Sequence, residues 1–205
     1  MPIEKLRAKA MVLLWIDLAA RASDIVSIPR SSVEFSKSGM HLMIYWPKEE
    51  SNGSPMLKPA YVARIEHDPL ICSNEAVRAW LVRSAALYND HIQRDMVMEG
   101  VASSKLPGKD IGLFSSLHKR KGKYFSITSQ RAYHVIMDMV FNPLHLQSWT
   151  PHDIRGATAS KLRNAGLPMD EVLQAARWKS ERTFTKVYFK DIRSMSKSCC
   201  SLPLP

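Results

Sequence analysis

Apolar residues at helical spacing open the chain. The segment from Glu4 to Ala20 is rich in Ala, Leu and Lys, and this pattern predicts a helix over 4–20. Ser23-Asp24, followed by several β-branched apolar residues, predicts a second, shorter helix. We therefore expect the chain to begin with helices.

From Ser32 the apolar pattern changes to alternation, which is typical of strands. Residues 33–35 alternate, 37–39 form a turn pattern, and 41–46 are rich in strand-forming residues, so a β-hairpin is predicted. A segment rich in Pro, Gly, Ser and Asn predicts a loop over 47–59, and a third strand is predicted over 61–65.

The remaining periodicity is helical. Residues 73–89 predict a helix with an apolar face of Val77, Trp80, Leu81 and Ala85. Beyond a loop-like stretch over 100–112, Leu113-Phe114 predicts a buried anchor and 118–123 a basic loop. Further helices are predicted over four ranges: 129–141, 152–165, 168–176, and 180 to about 195. We expect one mainly helical α+β domain over 1–205, with a three-stranded antiparallel sheet near its start and a tail over 190–205.

Charge and composition narrow the functional class. Lys and Arg outnumber Asp and Glu by 29 to 19, giving a net charge of +10, which favours a polyanionic partner such as nucleic acid. The longest apolar stretch, over 11–16, is far shorter than the roughly 20 residues of a membrane span. The three cysteines lack a metal-ligand spacing, and common nucleotide-binding, zincin and serine-hydrolase motifs are absent from the sequence. We expect neither metal nor cofactor, and no membrane partner.

Six positions supply the groups that metal-free cleavage of a phosphodiester needs: a nucleophile, cations around the phosphate and an acid for the leaving oxygen. They are Arg21, Lys48 after the hairpin, the His-x-x-Arg pair His152 and Arg155, Trp178 and Tyr188. Taken singly, each residue is more simply explained as a surface charge or a core aromatic. Their joint order resembles the signature of the tyrosine recombinases, or phage integrases, and the segment from Thr150 to Ser160 carries the most specific part of the match.

The resemblance also extends to a subgroup of the tyrosine recombinases. The sequence around Trp178, Phe184 and Tyr188 is similar to that of eukaryotic mobile-element recombinases of the DIRS or crypton type. Compared with that family, the chain starts almost at the first catalytic helix, so the usual N-terminal core-binding domain is expected to be absent.

The family resemblance implies a role for each position. Tyr188 would attack phosphorus and form a 3′-phosphotyrosine, while Arg21 and Arg155 would neutralise the phosphate oxygens. His152 would accept a proton or donate to the phosphate, and the indole N–H of Trp178 would donate to it. Lys48 would protonate the leaving oxygen.

Two of these assignments have alternatives. Lys58 lies at the other end of the predicted loop and is an alternative general acid to Lys48. Asp24 is a supporting candidate that would either hold the guanidinium of Arg21 or cap a helix.

The expected function is therefore a metal-independent, site-specific DNA recombinase. Its expected partners are double-stranded DNA and further copies of itself, as a dimer or tetramer on DNA. It would act in the nucleus of a eukaryote, or in the cytoplasm and nucleoid of a prokaryote. Two alternatives stay open at this point: a type IB topoisomerase, and a non-catalytic, domesticated DNA-binding module.

Overall fold

The computed structural model describes most of the chain. The described ranges are 1–51, 54–88, 112–118, 125–145, 150–176, 178 and 180–189. Within these ranges, only the backbone is described for residues 45–51, 54–57, 86–88, 151 and 187. The whole predicted tail over 190–205 lies outside the described ranges, and so do the predicted loop over 100–112 apart from residue 112 and the basic loop over 118–123 apart from residue 118.

The N-terminal helices form as predicted. Helix α1 spans Ile3–Leu18 and buries a face that includes Met11, Leu14 and Trp15. It ends at Ala19, which has a left-handed backbone (φ 44°, ψ 38°), and α2 follows over Ala22–Val26.

A three-stranded antiparallel sheet follows a 3₁₀ turn over Arg30–Ser32. Strand β1 spans Glu34–Phe35, β2 spans Gly39–Ser51 and β3 spans Ser54–Ala63, in the spatial order β1-β2-β3. Alternate residues of β2, namely Met40, Leu42 and Ile44, are buried in the core.

The predicted loop over 47–59 is wrong, because most of it belongs to β2 and β3. The third strand also begins earlier than predicted and ends at Ala63 rather than at residue 65. The ladder between β2 and β3 has a register irregularity between Trp46 and Glu50. Prolines are tolerated in β3 because it is an edge strand of this sheet, where an N–H directed away from β2 is not needed.

Two further helices complete the main core. Helix α3 spans Ser73–Tyr88, and α4 spans Ser129–Ile136 and continues as a π-helical turn over Met137–Phe141. The predicted α3 face is fully buried, and so are Leu113 and Phe114. The indole of Trp80 donates to the Leu113 carbonyl at 2.8 Å, so the anchor is held by a hydrogen bond as well as by packing.

The C-terminal helices surround a second, smaller hydrophobic cluster. Helix α5 spans Pro151–Asn164, α6 spans Met169–Ala176, and α7 spans Glu181–Thr183 and continues as a π-helical turn over Phe184–Tyr188. The buried members of this cluster are Ala19, Ala159, Val172, Ala176 and Phe184.

The last predicted helix is longer than the observed one. Phe189 is extended (φ −67°, ψ 119°), so the helical turn ends at Tyr188. The rest of the predicted helix, from residue 190 to about 195, lies outside the described residues. None of the helices in the described ranges is long and apolar enough to cross a membrane.

Candidate active site

Tyr188 lies half-buried at the very end of the last helical turn. Four residues earlier, Phe184 is fully buried in the C-terminal cluster and fixes this turn against α5 and α6. The ring of Tyr188 also packs against this cluster, which leaves its hydroxyl beside the start of α5.

His152 lies in the first turn of α5, and the local sequence determines this position. Thr150 is the N-cap, and its backbone N–H and hydroxyl donate to Asp153 at 2.9 and 2.7 Å, while Pro151 occupies the first helical position. His152 Nε2 and the hydroxyl of Tyr188 form a hydrogen bond, with the two rings edge to face at 5.0 Å between centroids.

Burial and two nearby positive charges favour the neutral form of His152. Burial lowers the pKa of His152 below 6.5, and the positive charges of Arg155 and Arg21 lower it further. The carboxylate of Asp153 acts in the opposite direction and does not reverse the shift. At neutral pH the imidazole can therefore accept the proton of the Tyr188 hydroxyl.

Trp178 lies between Arg155 and Tyr188. Its ring stacks on Tyr188 at 4.9 Å between centroids, and the guanidinium carbon of Arg155 lies 4.6 Å from its ring centroid on a cation–π contact. The ring of Trp178 therefore contacts the ring of the proposed nucleophile directly.

Arg155 is buried, with 2% of its surface exposed. Its Nη2 donates to the carbonyl of Ala176, the last residue of α6, at 2.6 Å. This bond satisfies a carbonyl at a helix end and fixes the guanidinium next to Trp178. The position one turn after His152 thus carries a fixed cation within the site.

Arg21 reaches the site from the N-terminal half of the chain. It precedes α2 as the N-cap residue, and its charge acts on the pKa of His152. Asp24, in the first turn of α2, accepts a hydrogen bond from the backbone N–H of Arg21 at 2.9 Å. Of the two interpretations of Asp24, this contact matches helix capping, and through the backbone it also orients Arg21.

The two candidate lysines lie on the hairpin. Lys48 lies in β2 within the irregular stretch between Trp46 and Glu50, and its side chain is outside the described residues. Lys58 lies in β3 directly opposite Ile44, so it points to the same face of the sheet as that buried residue.

Two residues of α5 that had no predicted role also contact Tyr188. A Cβ at Gly156 would lie 3.3 Å from Cδ1 of Tyr188, so the absence of a side chain allows the close approach of the ring. Ser160 donates to the backbone carbonyl of Tyr188 at 3.2 Å. A glycine inside a predicted helix was the one available signal, since it often marks close packing.

No protein-family model and no curated protein matches this sequence. Solved structures do match. XerA recombinase superposes with a TM-score of 0.60 at 14% identity over 98% of this chain and 62% of that one. XerH site-specific recombinase bound to palindromic difH substrate in a post-cleavage complex gives 0.59 at 12% identity over 98% and 47%, respectively. The fold is that of a tyrosine recombinase catalytic domain.

A pre-cleavage complex of XerH with difH substrate matches the same recombinase fold, with a TM-score of 0.57 at 12% identity over 98% of this chain and 48% of that one. The chain spans between 47% and 62% of the length of these recombinases. These neighbours bear on the fold and carry no information on a eukaryotic branch.

Within this recombinase fold, four predicted residues meet through direct contacts. Tyr188 contacts His152 and Trp178, and Trp178 contacts Arg155. Arg21 joins them through its charge. The assembly combines a phenol, a proton acceptor and two guanidinium groups, which suits attack on an anionic ester.

Proposed function

We propose that this chain is the catalytic domain of a site-specific DNA recombinase that cuts one DNA strand by forming a covalent bond through Tyr188. The observation that carries the proposal is the hydrogen bond between the Tyr188 hydroxyl and a His152 imidazole whose pKa is lowered. A tyrosine that merely fills a core does not require a neutral base at its hydroxyl.

The proposed reaction exchanges one phosphate ester for another. The Tyr188 oxygen attacks phosphorus while its proton passes to Nε2 of His152, and the bond from phosphorus to the 5′ oxygen breaks. The products are a 3′-phosphotyrosyl strand and a 5′ hydroxyl. Attack by the 5′ hydroxyl of another strand reverses these steps and releases the tyrosine, so no external energy source is required.

Charge stabilisation would come from the two arginines and a helix terminus. Arg155 and Arg21 supply guanidinium groups for the non-bridging oxygens, where negative charge increases in the transition state. The first turn of α5, which carries His152, adds the partial positive charge of a helix N-terminus. The indole N–H of Trp178 is a further donor for the phosphate.

Lys48 is the proposed general acid for the 5′ oxygen, with Lys58 as the alternative. Replacing the 5′ bridging oxygen of the substrate by sulfur creates a leaving group that needs no protonation. The lysine whose Ala variant cleaves the sulfur substrate well and the oxygen substrate poorly is the acid.

Double-stranded DNA is the proposed partner. XerH is described in complex with its difH substrate before and after cleavage, and this chain carries a net charge of +10, which favours a polyanion. We further propose a single catalytic domain over 1–205, assembly as a dimer or tetramer on DNA, and a relationship to the eukaryotic mobile-element branch.

A nicked suicide duplex tests the proposal. After cleavage, the short fragment that carries the 5′ hydroxyl dissociates, so the covalent adduct cannot be rejoined and is trapped. Wild-type protein should form an adduct that resists denaturing electrophoresis, and Tyr188→Phe should bind the duplex without forming it. Tyr133→Phe is the matched control, since Tyr133 also lies next to a histidine ring, that of His134, at 5.7 Å.

The other outcomes distinguish the alternatives. An adduct with Tyr188→Phe, or one mapped to another tyrosine, would overturn the assignment. Duplex binding by the wild type without any adduct would indicate a non-catalytic binding module. Relaxation of supercoiled DNA without strand exchange would indicate a topoisomerase.

A further inference from the structure

One face of α5 contacts Tyr188 from its hydroxyl to its backbone. His152, Gly156 and Ser160 are spaced four residues apart and therefore share this face. His152 bonds the hydroxyl, Gly156 leaves room for the ring, and the hydroxyl of Ser160 donates to the carbonyl of Tyr188 at 3.2 Å.

Ser160 contacts a carbonyl at the end of a helix, where carbonyl groups have no hydrogen-bond partner within the helix. The π-helical turn closes with the N–H of Phe189 on the carbonyl of Phe184 at 2.8 Å, and the chain then becomes extended at Phe189. Because the helix stops there, the carbonyl of Tyr188 lies outside the regular hydrogen-bonding pattern of the helix. Ser160, with 1% of its surface exposed, provides that hydrogen bond from inside the protein.

We propose that Ser160 is a positioning residue for Tyr188, acting by fixing the backbone from which the phenol extends. A rotation of this backbone would carry the hydroxyl away from His152 and the ring away from Trp178. The inference rests on the proposed function, because positioning has a catalytic consequence only when Tyr188 is the nucleophile. It assigns the serine a role in attack geometry rather than in DNA affinity.

Single-turnover adduct formation on the suicide duplex separates these two effects. The rate constant at saturating DNA reports attack geometry, and the half-saturating DNA concentration reports binding. Ser115→Ala is the matched control, because Ser115 is also fully buried and donates to a backbone carbonyl, that of Gly112 at 3.1 Å, in another part of the fold. Thermal unfolding of both variants measures the stability cost of losing one such bond.

Ser160→Ala should lower the saturating rate constant about tenfold, less than the roughly hundredfold loss that a 1 Å misplacement can cause. The half-saturating concentration should stay unchanged, and Ser115→Ala should cleave at the wild-type rate despite a similar loss of stability. Ser160→Thr, which keeps the hydroxyl, should restore most of the rate.

Three results would overturn the inference: a wild-type rate for Ser160→Ala, an equal loss in Ser115→Ala, or a rate for Ser160→Thr as low as that for Ser160→Ala. Failure of the proposed function looks different. In that case the wild-type protein forms no adduct at all, so no variant can be slower.

Discussion

Gly156→Ala should make the helix more stable and the proposed active site slower. Gly156 lies inside α5, where alanine is favoured over glycine by about 0.5–1 kcal/mol because it restricts the unfolded chain. On backbone propensity alone, the substitution is stabilising. The added methyl group, however, points at the proposed nucleophile.

The size of the effect follows from three distances. The new Cβ would lie 3.3 Å from Cδ1 of Tyr188 and 3.5 Å from both its Cβ and its carbonyl oxygen. The first distance is shorter than an ordinary carbon–carbon contact, so the ring must move by a few tenths of an ångström. If a 1 Å displacement costs about a hundredfold in rate, a shift of this size costs about threefold to tenfold.

Thermal unfolding and single-turnover adduct formation measure the two effects on the same protein. The unfolding free energy of Gly156→Ala should stay within about 1 kcal/mol of wild type, on the stable side, while the saturating rate constant falls. Gly166→Ala is the control with the opposite pattern. Gly166 has φ 97° and open space around its missing Cβ, so alanine there should destabilise the fold by about 1 kcal/mol and leave the rate unchanged.

A wild-type cleavage rate for Gly156→Ala would refute the idea that close packing on α5 sets the position of Tyr188. A loss of more than about 2 kcal/mol would also refute it, because the ring would then be unable to yield.

Two further predictions concern pH and the turn before Arg21. The pKa of His152 is lowered in the folded state, so its neutral form predominates above pH 6.5. As the pH drops below 6.5 through the folded pKa, the rate of adduct formation and the contribution of His152 to the unfolding free energy should both fall. His152→Gln should flatten the pH profile of the rate. Trp15→Phe removes an indole N–H that donates to the buried carbonyl of Ala20 at 2.7 Å, so urea unfolding should show a loss of about 1–3 kcal/mol; a loss below about 0.5 kcal/mol would mean that the carbonyl finds another partner.

The helices could be predicted because burial imposes a period on the sequence. The apolar face of α3 and the anchor at Leu113-Phe114 are fully buried, as their patterns indicate. The length of the hairpin could not be predicted in this way. Beyond Ile44 the sequence no longer alternates simply between apolar and polar residues, and Pro55 and Pro59 in β3 gave a loop signal that an edge strand overrides.

The candidate site divides along a similar line. The order of Arg21, His152, Arg155 and Tyr188 can be seen in the sequence, and its resemblance to a known signature indicated one class of chemistry. The contacts of Ser160 could not be predicted from the sequence, because they depend on the point at which the last helix stops. The apolar pattern of the sequence did not indicate that this turn ends at Tyr188.

Ala19 shows why the two halves of the site depend on one another. It ends α1, whose buried face belongs to the main core, yet its own side chain is 2% exposed within the C-terminal cluster that contains Phe184. Its left-handed backbone costs a residue with a Cβ about 1 kcal/mol or more, so the surrounding packing must hold it in place. Arg21 follows two residues later, and the position of its charge is therefore set partly by the same cluster that seats Tyr188. Loosening the C-terminal helices should accordingly displace an arginine that lies far from them in the sequence.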